Sequence, residues 1–315
     1  MIRSALITGG AGFIGSHVAD ALVSHGSRVT VLDDLSNGKR ENVPAEAEFR
    51  QLDVGSREAA ELIRTGGFDV VCHLAAQMDV RRSVADPVFD ATVNVVGGLN
   101  VLAAAHASDA RPRVVFASTG GALYGDFVDP PCEETDPKDP ESPYGIAKLS
   151  VEYYMAYYAR VHGLETAALR FANIYGPRQD PHGEAGVVAI FCQRLLDDQP
   201  LTVFGDGTQT RDYTYVGDVA RAVVAAATID LPPARQLDSR GFNIGTGVGT
   251  SVLDLVGALQ EAAKTKARVQ HAPRRPGEQQ QSFVDPSKAQ RALGWTPEVP
   301  LVEGLERTYR WFAER

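Results

Sequence analysis

The chain has 315 residues, 31 Lys and Arg against 40 Asp and Glu, a net charge of −9 and 44% hydrophobic residues. That length is long for one core, so one large domain or two joined ones are expected. The acidic balance argues against nucleic acid or an anionic membrane as partner and leaves any anionic ligand to local basic residues. Cys72, Cys132 and Cys192 lie sixty residues apart without metal-ligand spacing, so neither a disulfide framework nor a metal site is expected. Met1-Ile-Arg-Ser-Ala-Leu-Ile-Thr8 reads directly as a strand rather than a targeting segment. No apolar run approaches the ~20 residues that span a bilayer, and a cytoplasmic protein is expected.

The first half alternates strand and helix patterns. Short apolar runs at Ser4–Thr8, Arg28–Leu32, Glu48–Leu52, Val70–Leu74, Val114–Ser118 and Thr166–Arg170 suit strands covered on both faces. Helical patterns fall between them at Phe13–His25, Ser56–Thr65, Pro87–Ala107 and Tyr144–His162. The alternation predicts an α/β, Rossmann-like doubly wound parallel sheet with right-handed crossovers. From about Asn173, Gly, Pro and Asp punctuate short strands at Leu201–Phe204 and Phe242–Ile244. Helices are expected there near Val187–Asp197, Val216–Thr228, Val252–Lys264 and Leu301–Phe312. Residues 1–173 are therefore expected to form the nucleotide-binding domain. Residues 174–315 are expected to form a smaller α/β substrate-binding lobe at the carboxyl ends of the main strands.

The first strand runs through a glycine turn into a helix, with Gly9, Gly12 and Gly15 spaced G-x-x-G-x-x-G. Gly9 permits the tight turn, Gly12 lets backbone approach a pyrophosphate, and Gly15 allows close helix–strand packing. Phe13 and Ile14 open the helix, whose free N–H groups and macrodipole favour that anion. Asp33, at the end of the second strand, can accept bonds from both ribose hydroxyls and would repel a 2′-phosphate. Asp34, Ser36, Asn37 and Gly38 follow with no immediate Arg, which favours NAD over NADP, although Lys39 and Arg40 lie just beyond. Asp53 and Val54 are placed to meet the adenine, and Leu74, Ala75 and Ala76 supply small residues beside a flat cofactor.

Ser142-Pro-Tyr144-Gly-Ile-Ala-Lys148 puts a Tyr and a Lys on one face of a helix. A nearby cation stabilises phenolate and lowers a Tyr from its reference of about 10. A shift of about 3 units, roughly 4 kcal/mol, makes the phenol a usable base near neutrality. Alone, the pattern occurs on many solvated helices, and its weight comes from the motifs upstream.

Gly9–Gly15, Asp33, His73-Leu-Ala-Ala76, Asn94, Ser118-Thr119, Tyr144-x-x-x-Lys148 and Arg170-Phe-Ala-Asn173 together resemble the extended short-chain dehydrogenase/reductase superfamily. The resemblance runs through essentially the whole chain. Asn173-Ile-Tyr-Gly-Pro-Arg-Gln179, Phe204-Gly-Asp-Gly-Thr-Gln-Thr-Arg211-Asp-Tyr, Asn243-Ile-Gly-Thr and Arg274-Arg-Pro-Gly-Glu278 narrow it toward the UDP-glucose 4-epimerases. It implies an isomerase that inverts C4 of a UDP-hexose through a 4-keto sugar and keeps NAD bound. Tyr144 would take the proton of the 4-hydroxyl, and Lys148 would hold the phenolate and bond the nicotinamide ribose. Gln77, Asn94 and Phe171 complete the implied cofactor contacts. Thr119, with Ser118, would bridge the sugar hydroxyl and the phenol. The stretch from Phe116 to Tyr124 is one residue longer than the common form, so the Ser118-or-Thr119 assignment stays open, and counting back from Tyr144 favours Thr119. Relatives that dehydrate or decarboxylate carry acids just after this pair. Here Gly120-Gly121-Ala122 follows, which points to simple epimerisation. UDP-glucuronate 4-epimerisation is the alternative, and a non-catalytic NAD-binding protein a third reading that the intact Tyr144 and Lys148 disfavour.

In the second lobe the resemblance implies Arg211 and Arg275 on the diphosphate, where Arg's planar fork suits phosphate oxygens. Asn173 would reach the phosphates or sugar and Glu278 the uridine ribose. Val187 and Val188, with Thr202, Val203 and Phe204, would sandwich the uracil. Ser282 stands where a bulky Tyr marks relatives restricted to unacetylated sugars, so UDP-GlcNAc and UDP-GalNAc are expected to fit unless Phe283 fills the space. Val151, Tyr154 and Tyr158 are expected on an outer seam of the two long helices, and a homodimer paired through a four-helix bundle is implied.

Overall fold

The computed structural model describes residues 2–182, 186–274 and 279–315. β1 (Ser4–Thr8), α1 (Phe13–Ser24), β2 (Arg28–Asp33), β3 (Glu48–Gln51), α2 (Arg57–Thr65) and β4 (Val70–His73) come first. Next are α3 (Val80–Ala85), α4 (Pro87–Ala91), a π-helical turn at Thr92–Val96, α5 (Gly97–Ala107), β5 (Arg113–Thr119), α6 (Pro143–His162) and β6 (Thr166–Phe171). The chain continues through β7 (Asn173–Tyr175), α7 (Val187–Leu196), β8 (Leu201–Phe204), β9 (Thr210–Arg211), β10 (Tyr213–Tyr215), α8 (Val216–Thr228) and β11 (Gly241–Ile244). It ends with β12 (Thr250–Ser251), α9 (Val252–Ala262), β13 (Val269–Ala272), β14 (Gln281–Ser282), α10 (Ser287–Leu293) and α11 (Leu301–Ala313).

Seven strands pair in parallel in the order β11-β6-β5-β4-β1-β2-β3. β1, β6 and β11 are buried along their whole length, as apolar runs covered on both faces must be. The six strands expected in the first half form within a residue of their expected ends. The order reverses between β1 and β4, and a parallel sheet opens a crevice at the carboxyl ends of its strands at such a switch. One face is covered by α1 and α8, the other by α2, α5 and α6. A separate apolar core joins α7, α9 and α11 to β8.

Two expectations about organisation are corrected. The expected second lobe includes β11 and α8, yet β11 extends the main sheet beside β6 and α8 packs on α1. A cut after residue 173 therefore does not follow the cores, because the chain returns to the sheet after leaving it. The stretch Pro87–Ala107 is long and apolar enough, by length and composition alone, to cross a membrane. This overturns the reading that no such run exists. Part of that apolarity packs in the layer that α5 forms with α2 and α6, while Val88 and Val96 stay exposed.

Helix α6 is bounded by local chemistry. The Ser142 hydroxyl accepts from the Gly145 N–H, Pro143 opens the first turn, and Gly163 ends the helix in the left-handed region at φ 65°. Val151, expected on the outer seam, is instead buried, and Tyr158 packs against the same core. The apolar residues that α6 leaves exposed are Ile146, Tyr153, Tyr154, Tyr157 and Val161.

Arg170 of β6 is fully buried, with Nη2 2.6 Å from Glu152 of α6 and 2.6 Å from Asp238. Its Nη1 donates to the Tyr124 hydroxyl and to the Glu134 carbonyl. The ion pair clamps α6 to the sheet and to the loop that leads into it.

Candidate active site

The glycine turn leaves β1 with Gly9 at φ +72°, where an added Cβ would sit 2.6 Å from the Ala75 amide nitrogen. At Gly15 a Cβ would come within 2.1 Å of the Gly9 carbonyl oxygen, so helix and turn touch backbone to backbone. α2, α3, α4 and α6 are each capped by a Ser or Asp side chain. α1 starts at Gly12 with neither a side-chain cap nor an acid in its first turn. The N–H groups of Phe13, Ile14 and Gly15 thus lack an intrahelical acceptor, beside the crevice at the switch point.

Asp33 ends β2 and is buried. Its Oδ2 accepts from the Ala11 N–H at 2.9 Å and its Oδ1 from the Leu35 N–H at 2.8 Å. Burial pushes this carboxyl above the usual range, and the two hydrogen bonds oppose the rise. Asp34 instead closes its own turn, accepting from the Ser36 N–H and hydroxyl. Ser36 and Asn37 lie exposed on that loop, and a Cβ on Gly38 would stand 2.7 Å from Asp33 Oδ1. Asp53 accepts from the Gly55 N–H, while Val54 is buried. Leu74, Ala75 and Ala76 follow β4 half-buried, with the Ala75 N–H donating to the Thr8 hydroxyl. An uncapped helix terminus, a side-chain-free cradle and an acid one strand over fit a dinucleotide.

Beyond β4, Gln77 and Asn94 exchange amide bonds across the π-helical turn. Asp90, which sequence reasoning missed, accepts from both amides through Oδ1 at 2.9 and 3.0 Å. The available signal was an acid one helical turn before Asn94 on an otherwise apolar helix face.

Lys148 is buried, donates to the Ala117 carbonyl at 2.9 Å and lies 4.7 Å from the Phe116 ring centroid. Tyr144, half-buried on the same face of α6, has its ring centroid 5.7 Å from Lys148 Nζ. Burial pushes the Lys148 ammonium down to about 8, with Asp90 and Glu152 opposing the fall. Neighbouring His73 is driven to about 3 by burial and by Lys148, so its imidazole is neutral.

The paired hydroxyls of β5 separate here. Ser118 donates to Glu152 at 2.5 Å, inside the Arg170 ion pair. Thr119 ends the strand, and the Gly120 N–H bonds the Phe171 carbonyl. A Cβ on Gly120 would meet Val284 at 2.9 Å and the Arg170 carbonyl at 3.1 Å, so no side chain fits there. A Cβ on Gly121 would lie 3.7 Å from Ser282 Oγ and 3.9 Å from Asn173 Oδ1. Gly121, Ser282 and Asn173 therefore converge on one spot.

In the second lobe, Val187, Thr202 and Phe204 are half-buried, but Val188 and Val203 belong to the apolar core. The expectation that both valine side chains contact a base is corrected, since strand alternation turns Val203 inward. The Thr202 hydroxyl accepts from Arg194 and Gln270. Arg211 of β9 sits opposite Ser282 of β14 in register. Phe283 turns the other way, its ring 2.9 Å from where a Gly249 Cβ would be, so it does not fill the space beside Ser282. Arg275 and Glu278 lie outside the described residues.

A family profile described as the NAD dependent epimerase/dehydratase family matches residues 5–245. The UDP-glucose 4-epimerase of Mycolicibacterium smegmatis is 42% identical over 315 residues, covering 98% of each chain. The crystal structure of UDP-glucose 4-epimerase from Thermotoga maritima with UDP-glucose is 44% identical with a TM-score of 0.93, covering 99% of each chain. That of the Thermus thermophilus UDP-glucose 4-epimerase with NAD is 44% identical with a TM-score of 0.89, again covering 99% of each.

The buried lysine has a measurable signature in stability. An unfolded lysine titrates at its ordinary 10.5 and folded Lys148 at about 8. Below that value the folded state holds a charge that the unfolded chain keeps in water, at a cost of about 3 kcal/mol. The cost fades as pH rises toward 10.5, so this group's contribution to stability rises with pH. Lys148→Met should be at least as resistant to urea as the parent at neutral pH, and the parent should gain on it above pH 8. A difference that stays constant with pH would contradict a charged, buried Lys148.

Proposed function

Because the chain belongs to the NAD dependent epimerase/dehydratase family, we propose that it is a UDP-hexose 4-epimerase, interconverting UDP-glucose and UDP-galactose through a 4-keto sugar. The observation that carries this reading is the pairing of half-buried Tyr144 with buried Lys148, which donates to the Ala117 carbonyl two residues before Thr119, with no acid at Gly120 or Gly121. The relatives at 42–44% identity named for this activity support it, as do the solved neighbours with UDP-glucose and with NAD.

Residues of α1 would hold the pyrophosphate of NAD on their N–H groups, and Asp33 would hold a ribose. NAD, when bound, supplies oxidation and then reduction at C4 and ends each turnover in the form in which it began. Tyr144 removes the proton of the 4-hydroxyl and returns it to the same oxygen after C4 has been inverted. Lys148 stabilises the phenolate with its charge, which a low-dielectric surrounding strengthens. Thr119 bridges sugar hydroxyl and phenol, since Ser118 is engaged by Glu152. Arg211, joined by Arg275, holds the diphosphate, and Asn173 meets the phosphates or the sugar. The keto sugar must present both faces in turn, and the side-chain-free position at Gly121 leaves it space. Ser282 leaves room for a 2-acetamido group, so UDP-GlcNAc and UDP-GalNAc are included as substrates.

A second copy of this chain completes the reading. Val84, Val88 and Val96 lie exposed on the helical stretch beside the exposed face of α6, forming an apolar surface suited to a two-fold helix bundle.

Purified protein offered a panel of UDP-sugars without added cofactor should equilibrate the glucose/galactose pair. Tyr144→Phe should lower kcat by about three orders of magnitude while NAD stays bound; near-normal turnover in that variant overturns the mechanism. Ser282→Tyr should lose the acetylated pair and keep the unacetylated one, and equal loss of both would refute the pocket assignment. Val88→Asp should shift the protein from dimer to monomer in sedimentation, and a parent chain that is already monomeric rules the bundle out.

A further inference from the structure

The residues assigned to the UDP-sugar in the second lobe sit on very short strands. Arg211 ends the two-residue β9, in register between Thr250 of β12 and Ser282 of β14, and each of those strands is also two residues long. Pairing over so few residues gives little order by itself. Asp212, the next residue, is fully buried. Its N–H donates to the Ser282 carbonyl at 3.1 Å, and its own carbonyl accepts from the Asn173 N–H at 2.9 Å. Asp212 thus adjoins Arg211 and is bonded to the backbone of both Asn173 and Ser282.

The Asp212 carboxylate is held by the loop that leaves β11 of the main sheet. Oδ1 accepts from the Thr246 N–H at 2.8 Å, the Thr246 hydroxyl at 2.7 Å and the Thr214 hydroxyl at 3.2 Å. Oδ2 accepts from the Thr246 N–H at 3.0 Å and the Gly247 N–H at 3.1 Å. A Cβ on Gly245 would stand 2.4 Å from Oδ2, so the loop comes this close only because that position has no side chain. Successive N–H groups turned on one carboxylate form a small anion nest. Burial pushes this carboxyl up, and the same N–H and hydroxyl donors oppose the rise.

We propose that Asp212 is a positioning residue for substrate binding: hooked into the loop at Thr246 and Gly247, it sets where Arg211 meets the diphosphate and where Asn173 and Ser282 border the sugar. The inference rests on the UDP-sugar reading for its ligand, but not for its hydrogen bonds. A UDP-sugar has to reach Arg211 and Tyr144 at once, so the short strands must keep a fixed place relative to the main sheet. The loop supplies that reference. It follows β11 directly, and Ile244 of β11 pairs with Phe171 of β6, two residues before Asn173. A carboxylate satisfied by several uncharged donors is costly to detach once buried, which makes the hook stiff.

The test uses the full chain with its bound NAD. Thr246→Val removes one hydroxyl donor from the carboxylate at nearly constant volume and keeps the backbone N–H groups, and Thr246→Ser returns the hydroxyl. Calorimetric titration with UDP and steady-state kinetics with UDP-glucose are read together. In Thr246→Val the Kd for UDP and the KM for UDP-glucose should rise about tenfold, with kcat within about twofold of the parent. NAD per chain should not change, and Thr246→Ser should return both constants to the parent values. Asp212→Asn, which sets an amide NH2 against the same donors, should move them further in the same direction. UDP affinity and KM equal to the parent's in Thr246→Val, with only the urea midpoint lowered, overturn the proposal, and so does a loss that Thr246→Ser does not reverse. If Asp212→Asn yields too little folded protein, the two Thr246 variants decide alone. Weaker UDP binding by Thr246→Val in a chain that epimerises no UDP-sugar would sustain the positioning role and remove the reaction assigned to it. A parent chain that binds no UDP overturns both.

Discussion

A guanidinium with no access to water must be neutralised where it lies, and the placement of Arg170 organises the centre of this molecule. Its partners Glu152 and Asp238 come from α6 and from the short helical turn at Leu237–Arg240, and its other donors reach the loop between β5 and α6. Removing Arg170 would leave the buried Glu152 carboxylate without its counter-charge, at a cost of about 3–5 kcal/mol. Four chain segments are thereby held to one geometry. Asn243 of β11 extends the clamp, donating through its N–H to Glu134 and accepting from the Tyr124 hydroxyl.

The clamp matters for chemistry because Glu152 shares a helix face with Tyr144 and Lys148. Fixing Glu152 against β6 fixes the rotation of α6, which in turn decides that Lys148 points at the Ala117 carbonyl. The same carboxylate takes the Ser118 hydroxyl, and strand alternation then leaves Thr119 at the end of β5 as the hydroxyl of this pair not drawn into the clamp. One ion pair thus links the rigidity of the sheet to the placement of base, cation and bridging hydroxyl. Around Lys148 the fold keeps a neutral imidazole, an aromatic face and a backbone carbonyl that accepts from the ammonium.

How much of this was legible in the sequence depended on the range of each interaction. The glycine turn, the acid after β2 and the Tyr144/Lys148 spacing are local patterns, and a strand, a turn or one helical period suffices to interpret them. The placement of Asp90 depends on Gln77 and Asn94 meeting across a π-helical turn, which no spacing rule encodes. Val188 and Val203 mislead a sequence reading because an apolar residue in a second lobe can face a ligand or a core, and only the packing of α7 and β8 distinguishes the two. Phe283 and Ser282 are neighbours in sequence but face opposite ways, which the pairing of β14 with β9 decides.

The sequence by itself determined a parallel α/β sheet, a dinucleotide turn and a tyrosine–lysine pair, since backbone periodicity and short-range sterics carry that information. It also determined the absence of an acid after Thr119, which separates epimerisation from chemistry that needs a further proton donor. Only the tertiary structure decided that β11 and α8 rejoin the main sheet, that Ser118 belongs to a buried ion pair, and that Asp90 accepts from Gln77 and Asn94. Those outcomes depend on contacts between residues far apart in the chain, whose energies take effect only when folding has excluded water from between them.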